Sequence, residues 1–243
     1  MKANPYRAFA LVLWAVVTIP SPLVRAAAGV RPGAPPATLP DSSRRRPVLL
    51  VPGWAGTLEE MRPLQERFVR DGWDPSQVLA LEFDDPVGSN VDHAAELEVA
   101  LQELLLRADA KEVDVVAHSM GGLALWVLLD VKRDAIPVRR VVFLGSPLRG
   151  TFTAHLGWGE GGEEMRPGSP LLQELQAGPP PQRWVEALTI RTPLDLNVLP
   201  VSRAALSGIP DRMVCCPLHQ GLLDHEETYR VVRDFLLGGE GAW

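Results

Sequence analysis

Val113-Asp114-Val115-Val116-Ala117-His118-Ser119-Met120-Gly121-Gly122-Leu123 is the stretch whose reading decides the fold. An apolar run ends in small-His-Ser-Met-Gly-Gly and resumes as an apolar helical run through Leu129. This is the pattern of a nucleophile elbow, a strained turn from strand to helix that holds a serine hydroxyl out at the top of a sheet. The turn is tight, so the positions two before and two after Ser119 must be small. Ala117 and Gly121 meet that demand. The first position is usually Gly, and Ala is the mildest departure from it. The competing reading is an ordinary helix start with Ser119 as N-cap. The strand before and the helix after favour the elbow.

With 243 residues and 46% hydrophobic side chains, the chain can bury the core of one α/β domain. Its first 28 residues read as a secretory signal peptide. Met1 to Arg7 is positive, Ala8 to Ile19 is apolar, and Ala26-Ala27-Ala28 offers small residues for cleavage near Ala28. A retained anchor is the alternative, but Pro20, Pro22 and Arg25 interrupt the apolar run. The expected location is therefore secreted or periplasmic. Removing Lys2, Arg7 and Arg25 takes the net charge from −6 to −9. An acidic chain without a basic stripe is a poor partner for nucleic acid and gains nothing from anionic membranes. Cys215 and Cys216 are neighbours and close no long loop, so no disulfide scaffold follows. A strand would send them to opposite faces; a vicinal disulfide is the less favoured alternative.

Residues 29–46, rich in Pro and ending in Arg44-Arg45-Arg46, read as a flexible leader whose basic triplet is solvated. From residue 47 onward strands and helices alternate. Strands are expected at Val48 to Val51, Val78 to Phe83, the elbow strand, Val138 to Leu144, Val185 to Arg191 and Arg212 to Cys216. Helices are expected at Leu58 to Arg70 (Thr57 as cap, Glu60 at the capping-box position), Val91 to Ala108 (capped by Ser89 or Asn90), after the elbow, and at Glu226 to Leu237. Residues 148–182 break the rhythm with many Gly and Pro and one short helix near Leu171 to Gln176, as a cap-like insertion. The alternation predicts an α/β fold, a mostly parallel sheet with helices on both faces.

A serine hydroxyl needs a histidine to take its proton and a carboxylate to orient that histidine. The chain has five histidines. His118 lies inside the elbow and is expected to point away from the nucleophile. His93 precedes the elbow, and His155 lies in the insertion. His219, on the loop after the last strand, sits where a general base belongs, with His225 as its competitor at the start of the final helix. Asp195, on the loop past the preceding strand, is the candidate acid; an Asx turn is its bland alternative, and Asp211 and Asp224 are weaker candidates. Two backbone N–H groups would face a developing oxyanion. Met120 supplies one as the residue after the serine, and Trp54, in Val51-Pro52-Gly53-Trp54, supplies the other.

At this point the chain resembles the α/β-hydrolase superfamily, and within it the small secreted bacterial lipases and esterases. The resemblance rests on several segments beside the elbow. Leu144-Gly-Ser-Pro-Leu-Arg-Gly-Thr151 is similar to their Gly-Thr-Pro-His-x-Gly-Thr. Glu164 to Leu175 looks like a segment of bacterial triacylglycerol lipases. Asp195 with Val198 and Pro200 matches their Asp-x-x-Val-x-Pro loop, and His219-x-Gly-Leu-Leu223 their histidine loop. The departures are Pro52 where His is usual, Ser146 for Thr and Leu148 for His.

The resemblance implies a carboxylic-ester hydrolase working through Ser119, His219 and Asp195, with acyl esters or lipids as substrates; no metal or organic cofactor is expected, because no His-x-x-x-His or carboxylate cluster sits near the elbow. It would be a monomer making at most transient contact with a lipid interface. A non-catalytic exported binding protein of the same fold, or an acyltransferase or thioesterase with the same triad, are the alternatives. The insertion is short and polar, which argues for a small loop over the site rather than a large lid.

Overall fold

Six apolar segments pair side by side into one parallel sheet in the computed structural model, which describes residues 45–239. The expected signal peptide, and all of the expected leader but Arg45 and Arg46, lie outside those residues. The strands are β1 (Val48–Val51), β2 (Val78–Ala80), β3 (Val113–His118), β4 (Val138–Leu144), β5 (Glu186–Arg191) and β6 (Asp211–Met213). Their order across the sheet is β2-β1-β3-β4-β5-β6, with every neighbouring pair parallel. The helices are α1 (Leu58–Arg70), α2 (Asn90–Arg107), α3 (Gly121–Lys132), α4 (Gly159–Glu164), α5 (Pro170–Ala177) and α6 (Glu226–Leu236).

The pleat sorts the core into two layers, because successive side chains leave a strand on opposite faces. Leu49 and Val51 of β1 join Val113, Val115 and Ala117 of β3 against α2 and α3. Val48 and Leu50 join Val116, Val142 and Leu144 against α1 and α6. Both faces of the central strands are thus covered, which is why β1 reads as an unbroken apolar run and β3 is interrupted before His118 only by Asp114, whose carboxylate pairs with Arg139. On α1 the inward residues are Met61, Leu64 and Phe68, each fully buried and each contributing about 1.5–3 kcal/mol of apolar transfer. The α2 cap forms as read, with Ser89 Oγ accepting from Val91 N–H. At α1, Thr57 stands at the cap but its hydroxyl makes no capping bond.

Three local expectations need correcting. The second strand stops at Ala80; one further rung, Leu81 N–H to Leu50 O at 2.9 Å, precedes an Asp84-Asp85-Pro86 turn. The last strand ends at Met213. Val214 N–H still reaches Arg191 O, but Cys215 and Cys216 lie beyond the sheet, exposed, and are bonded to each other rather than placed on opposite faces. As an edge strand, β6 has only β5 to hold it, so it is short. Finally, the insertion carries a second helix, α4, in Gly159-Glu-Gly-Gly-Glu-Glu164, where glycine content argues against one. Close packing selects those glycines: a Cβ on Gly159 would meet Val87 O at 2.4 Å, and one on Gly161 would meet Gly88 O at 2.5 Å and Met120 Sδ at 2.6 Å.

Candidate active site

In a parallel sheet the loops after the strands gather along one edge, and three of them bring Ser119, Asp195 and His219 together. Ser119 follows β3 directly. Its φ of 51° lies in the left-handed region, which a residue with a Cβ occupies only when the surroundings impose it. Here the Ser119 N–H is held by Leu144 O at 2.9 Å, and the next residue opens α3. His219 Nε2 lies 2.9 Å from Ser119 Oγ, and its Nδ1 lies 2.8 Å from Asp195 Oδ2. Asp195 and His219 are both buried, each 2% exposed, while Ser119 is half-buried.

Asp195 satisfies both readings of its loop, one oxygen to each. Oδ1 accepts from the Asn197 and Val198 N–H groups at 2.8 Å, which builds the turn, and leaves Oδ2 aimed at the imidazole. The ring of His219 is backed by Gly145, whose φ is 58° and where a Cβ would sit 3.2 Å from His219 Cε1. Thr192 Oγ1 donates to Pro217 O at 2.7 Å and so ties the acid loop to the histidine loop. The rival acids are occupied elsewhere: Asp211 pairs with Arg191, and Asp224 with Arg67.

The loop after β1 passes close beside the elbow. A Cβ on Gly53 would fall 2.8 Å from Ser119 Cβ, so only glycine lets the chain through at that point. Gly121 meets the same loop from the other side, 2.3 Å from Pro52 O by its missing Cβ. Ala55, next after Trp54, turns the loop with a φ of 54° and donates its N–H to Pro86 O. Neither Trp54 N–H nor Met120 N–H donates to another group among the described residues. Their side chains run under the insertion. Trp54 Nε1 donates to Trp158 O at 3.0 Å, and the Met120 thioether lies against Gly161.

The remaining histidines are distinct. His93 is buried with Nε2 2.7 Å from Asp85 O, His155 is exposed, and His225 stands at the N-cap position of α6 without a side-chain capping bond. His118, expected to point away from the nucleophile, makes its ring contact with the general-base candidate instead. Its ring packs 4.7 Å from that of His219, tilted by 42°, with Nε2 3.4 Å from His219 O. Alternation along β3 fixes its face, but only the fold brings the histidine loop over it. Burial, and then the nearby His219, hold its pKa well below the ordinary value of 6.5.

The sign of the resulting pH dependence follows from proton counting. Below 6.5 the unfolded chain protonates His118 and the folded chain does not, so this group costs stability on acidification, at most about 1.4 kcal/mol per pH unit. The cost is absent above 6.5 and grows as the pH falls toward the folded pKa. His118→Phe is expected to flatten the acid limb of stability against pH, measured by urea unfolding at about pH 5 and about pH 7.5. Equal slopes in the two proteins would contradict it.

The geometry defines the class. A parallel sheet with helices on both faces, carrying a serine at a strained turn after its central strand β3, is the α/β-hydrolase fold, and solved structures agree. No protein-family model matches the chain. Lipase B of Aspergillus fumigatus superposes with a TM-score of 0.67 at 18% identity, over 83% of this chain and 55% of that one. The mature form of the Bacillus licheniformis lipase BlEst2 gives 0.68 at 16% identity, over 83% and 96%. The ydeN gene product of B. subtilis gives 0.56 at 16%, over 79% and 98%. The chain spans little more than half of the Aspergillus lipase. At these identities the likeness establishes the fold.

Proposed function

We propose that the protein is an exported serine hydrolase of the lipase and esterase kind, cleaving carboxylic esters with Ser119, His219 and Asp195 as its catalytic residues. The observation that carries this reading is the His219 ring lying between Ser119 Oγ at 2.9 Å and Asp195 Oδ2 at 2.8 Å. In the reaction, Ser119 Oγ attacks the acyl carbonyl as His219 Nε2 takes its proton. Asp195 holds the imidazole with Nδ1–H toward itself and offsets the imidazolium charge. The tetrahedral oxyanion is met by the N–H groups of Met120 and Trp54, worth about 3–4 kcal/mol each in sites of this type. His219 then returns the proton to the leaving alkoxide, and water releases the acyl group by the same steps in reverse. Acylglycerols and simpler esters are the substrate class, and residues 1–28 supply the export signal.

A fluorophosphonate probe tests the nucleophile without knowledge of the natural substrate. Labelling at Ser119 in the folded protein is expected; folded protein that takes no label is a binding protein and ends the reading. Asp195→Asn should lower kcat by about 10³–10⁴-fold, because the amide presents a donor where the imidazole needs an acceptor and so favours the wrong tautomer. Retention of full turnover in that variant would remove Asp195 from the mechanism.

A further inference from the structure

We infer that the segment from Thr151 to Met165 is a fixed wall of the ester site rather than a lid, so that the enzyme acts on dissolved ester molecules and gains nothing from a lipid interface. The inference rests on the ester-hydrolase reading and specifies the physical state of its substrate. A lid that opens needs a run of chain free between two hinges, and it needs an apolar face hidden while closed and uncovered when open. This segment is bonded to its surroundings along its length, and its largest apolar side chains face outward.

Its anchors are spread along its length. At the start, Phe152 N–H donates to Leu199 O at 3.1 Å. Thr151 Oγ1 donates to Asn197 O at 2.9 Å and accepts from Leu199 N–H at 2.8 Å, which pins the segment to the acid loop. In the middle, Trp158 O accepts from Trp54 Nε1, and the two indole rings meet edge to face with centroids 4.3 Å apart. Further on, Gly161 N–H donates to Val87 O at 3.1 Å. At the end, the Glu164 carboxylate accepts from Ser89 Oγ, Asn90 N–H and Asn90 Nδ2, bonds of 2.7–2.9 Å at the N-terminus of α2. A carboxylate there also faces the positive end of the helix dipole. The Thr153 hydroxyl also donates to Asn197 O, so only residues 154–157 lie between anchors for more than two positions, and Ala154 among them is buried.

The apolar surface lies on the outside. Leu156 is 87% exposed, Trp158 59% and Phe152 55%, while the apolar contacts the segment makes inward, Ala154 and Met165 in the cluster that holds Met120, are part of the domain core. Leu194, Leu196 and Leu218, on the loops that carry Asp195 and His219, are exposed in the same way. Exposed apolar side chains thus stand both on this segment and on the loops that carry Asp195 and His219, where the hydrocarbon of a single ester molecule can meet them.

The test has two arms on the folded protein. Hydrolysis of p-nitrophenyl butyrate and of tributyrin is followed from below to above their solubility limits, with and without non-ionic detergent micelles. The rate is expected to saturate with dissolved ester and to change by less than about twofold at the phase boundary, where lid opening gives a jump. In parallel, hydrogen exchange over residues 151–165 is expected to be unchanged by the micelles. A rate jump of about tenfold, or deprotection of this segment by micelles, overturns the inference while leaving the hydrolase reading standing. Loss of both hydrolysis and fluorophosphonate labelling overturns that reading, and the inference with it.

Discussion

Ser119→Ala is expected to lower the turnover of p-nitrophenyl esters by about 10⁴–10⁶-fold while leaving the protein folded. The size follows from what the hydroxyl alone supplies. In the proposed reaction it is the atom that forms the acyl bond, and His219 and Asp195 act only through it, so removing it would cost nearly as much as removing all three. The fold should tolerate the change. The side chain is half-buried, its hydroxyl bonds His219 Nε2, and alanine at a φ of 51° is under much the same strain as serine. A residual rate above that of water would come from the Met120 and Trp54 donors, which the substitution leaves in place. The measurement pairs a kcat/KM determination with a thermal melt. An unchanged rate in a protein with an unchanged melt would end the assignment of Ser119 as nucleophile.

The second large effect is on stability. Gly121→Ala would place a Cβ 2.3 Å from Pro52 O and 2.9 Å from Val51 Cγ1, and the nearer atom is backbone at the end of the buried strand β1. Neither partner can turn away as a flexible side chain would. Either α3 or the loop carrying Gly53 and Trp54 must shift, and a buried overpacking of this kind costs about 3 kcal/mol or more. The native helical setting gives alanine only a small propensity gain in return, about 1 kcal/mol at the most. A denaturant midpoint close to that of the parent protein would show that the loop and helix yield easily. If the variant folds, its Trp54 donor is displaced, so kcat should fall further than KM rises, since the donor acts mainly on the transition state.

Much of this was legible in the sequence because strands and helices leave different periods of burial. The apolar runs Val48 to Val51 and Val115 to Ala117 are required by burial on both faces, and the small residues around Ser119 by the tight turn. The order of serine, aspartate and histidine along the chain follows from each occupying a loop after a later strand, and the structure brings these three side chains into contact. Less was legible where contacts across space override local preference. The helix of Gly159–Glu164 contradicts its own propensity and is held by Val87, Met120 and the α2 N-terminus. Cys215 and Cys216 have the composition of a strand, yet the edge of the sheet ends before them.

The elbow, the two-sided burial of the strands and the loops to be searched for an acid and a base were thus determined by the sequence itself, since strict local geometry and burial demand those residue types. The tertiary structure decided which aspartate faces His219, that His118 lies against it as a neutral neighbour, and that the insertion is pinned at both ends and in the middle. These depend on which loops the parallel crossovers bring side by side, and no local period encodes that.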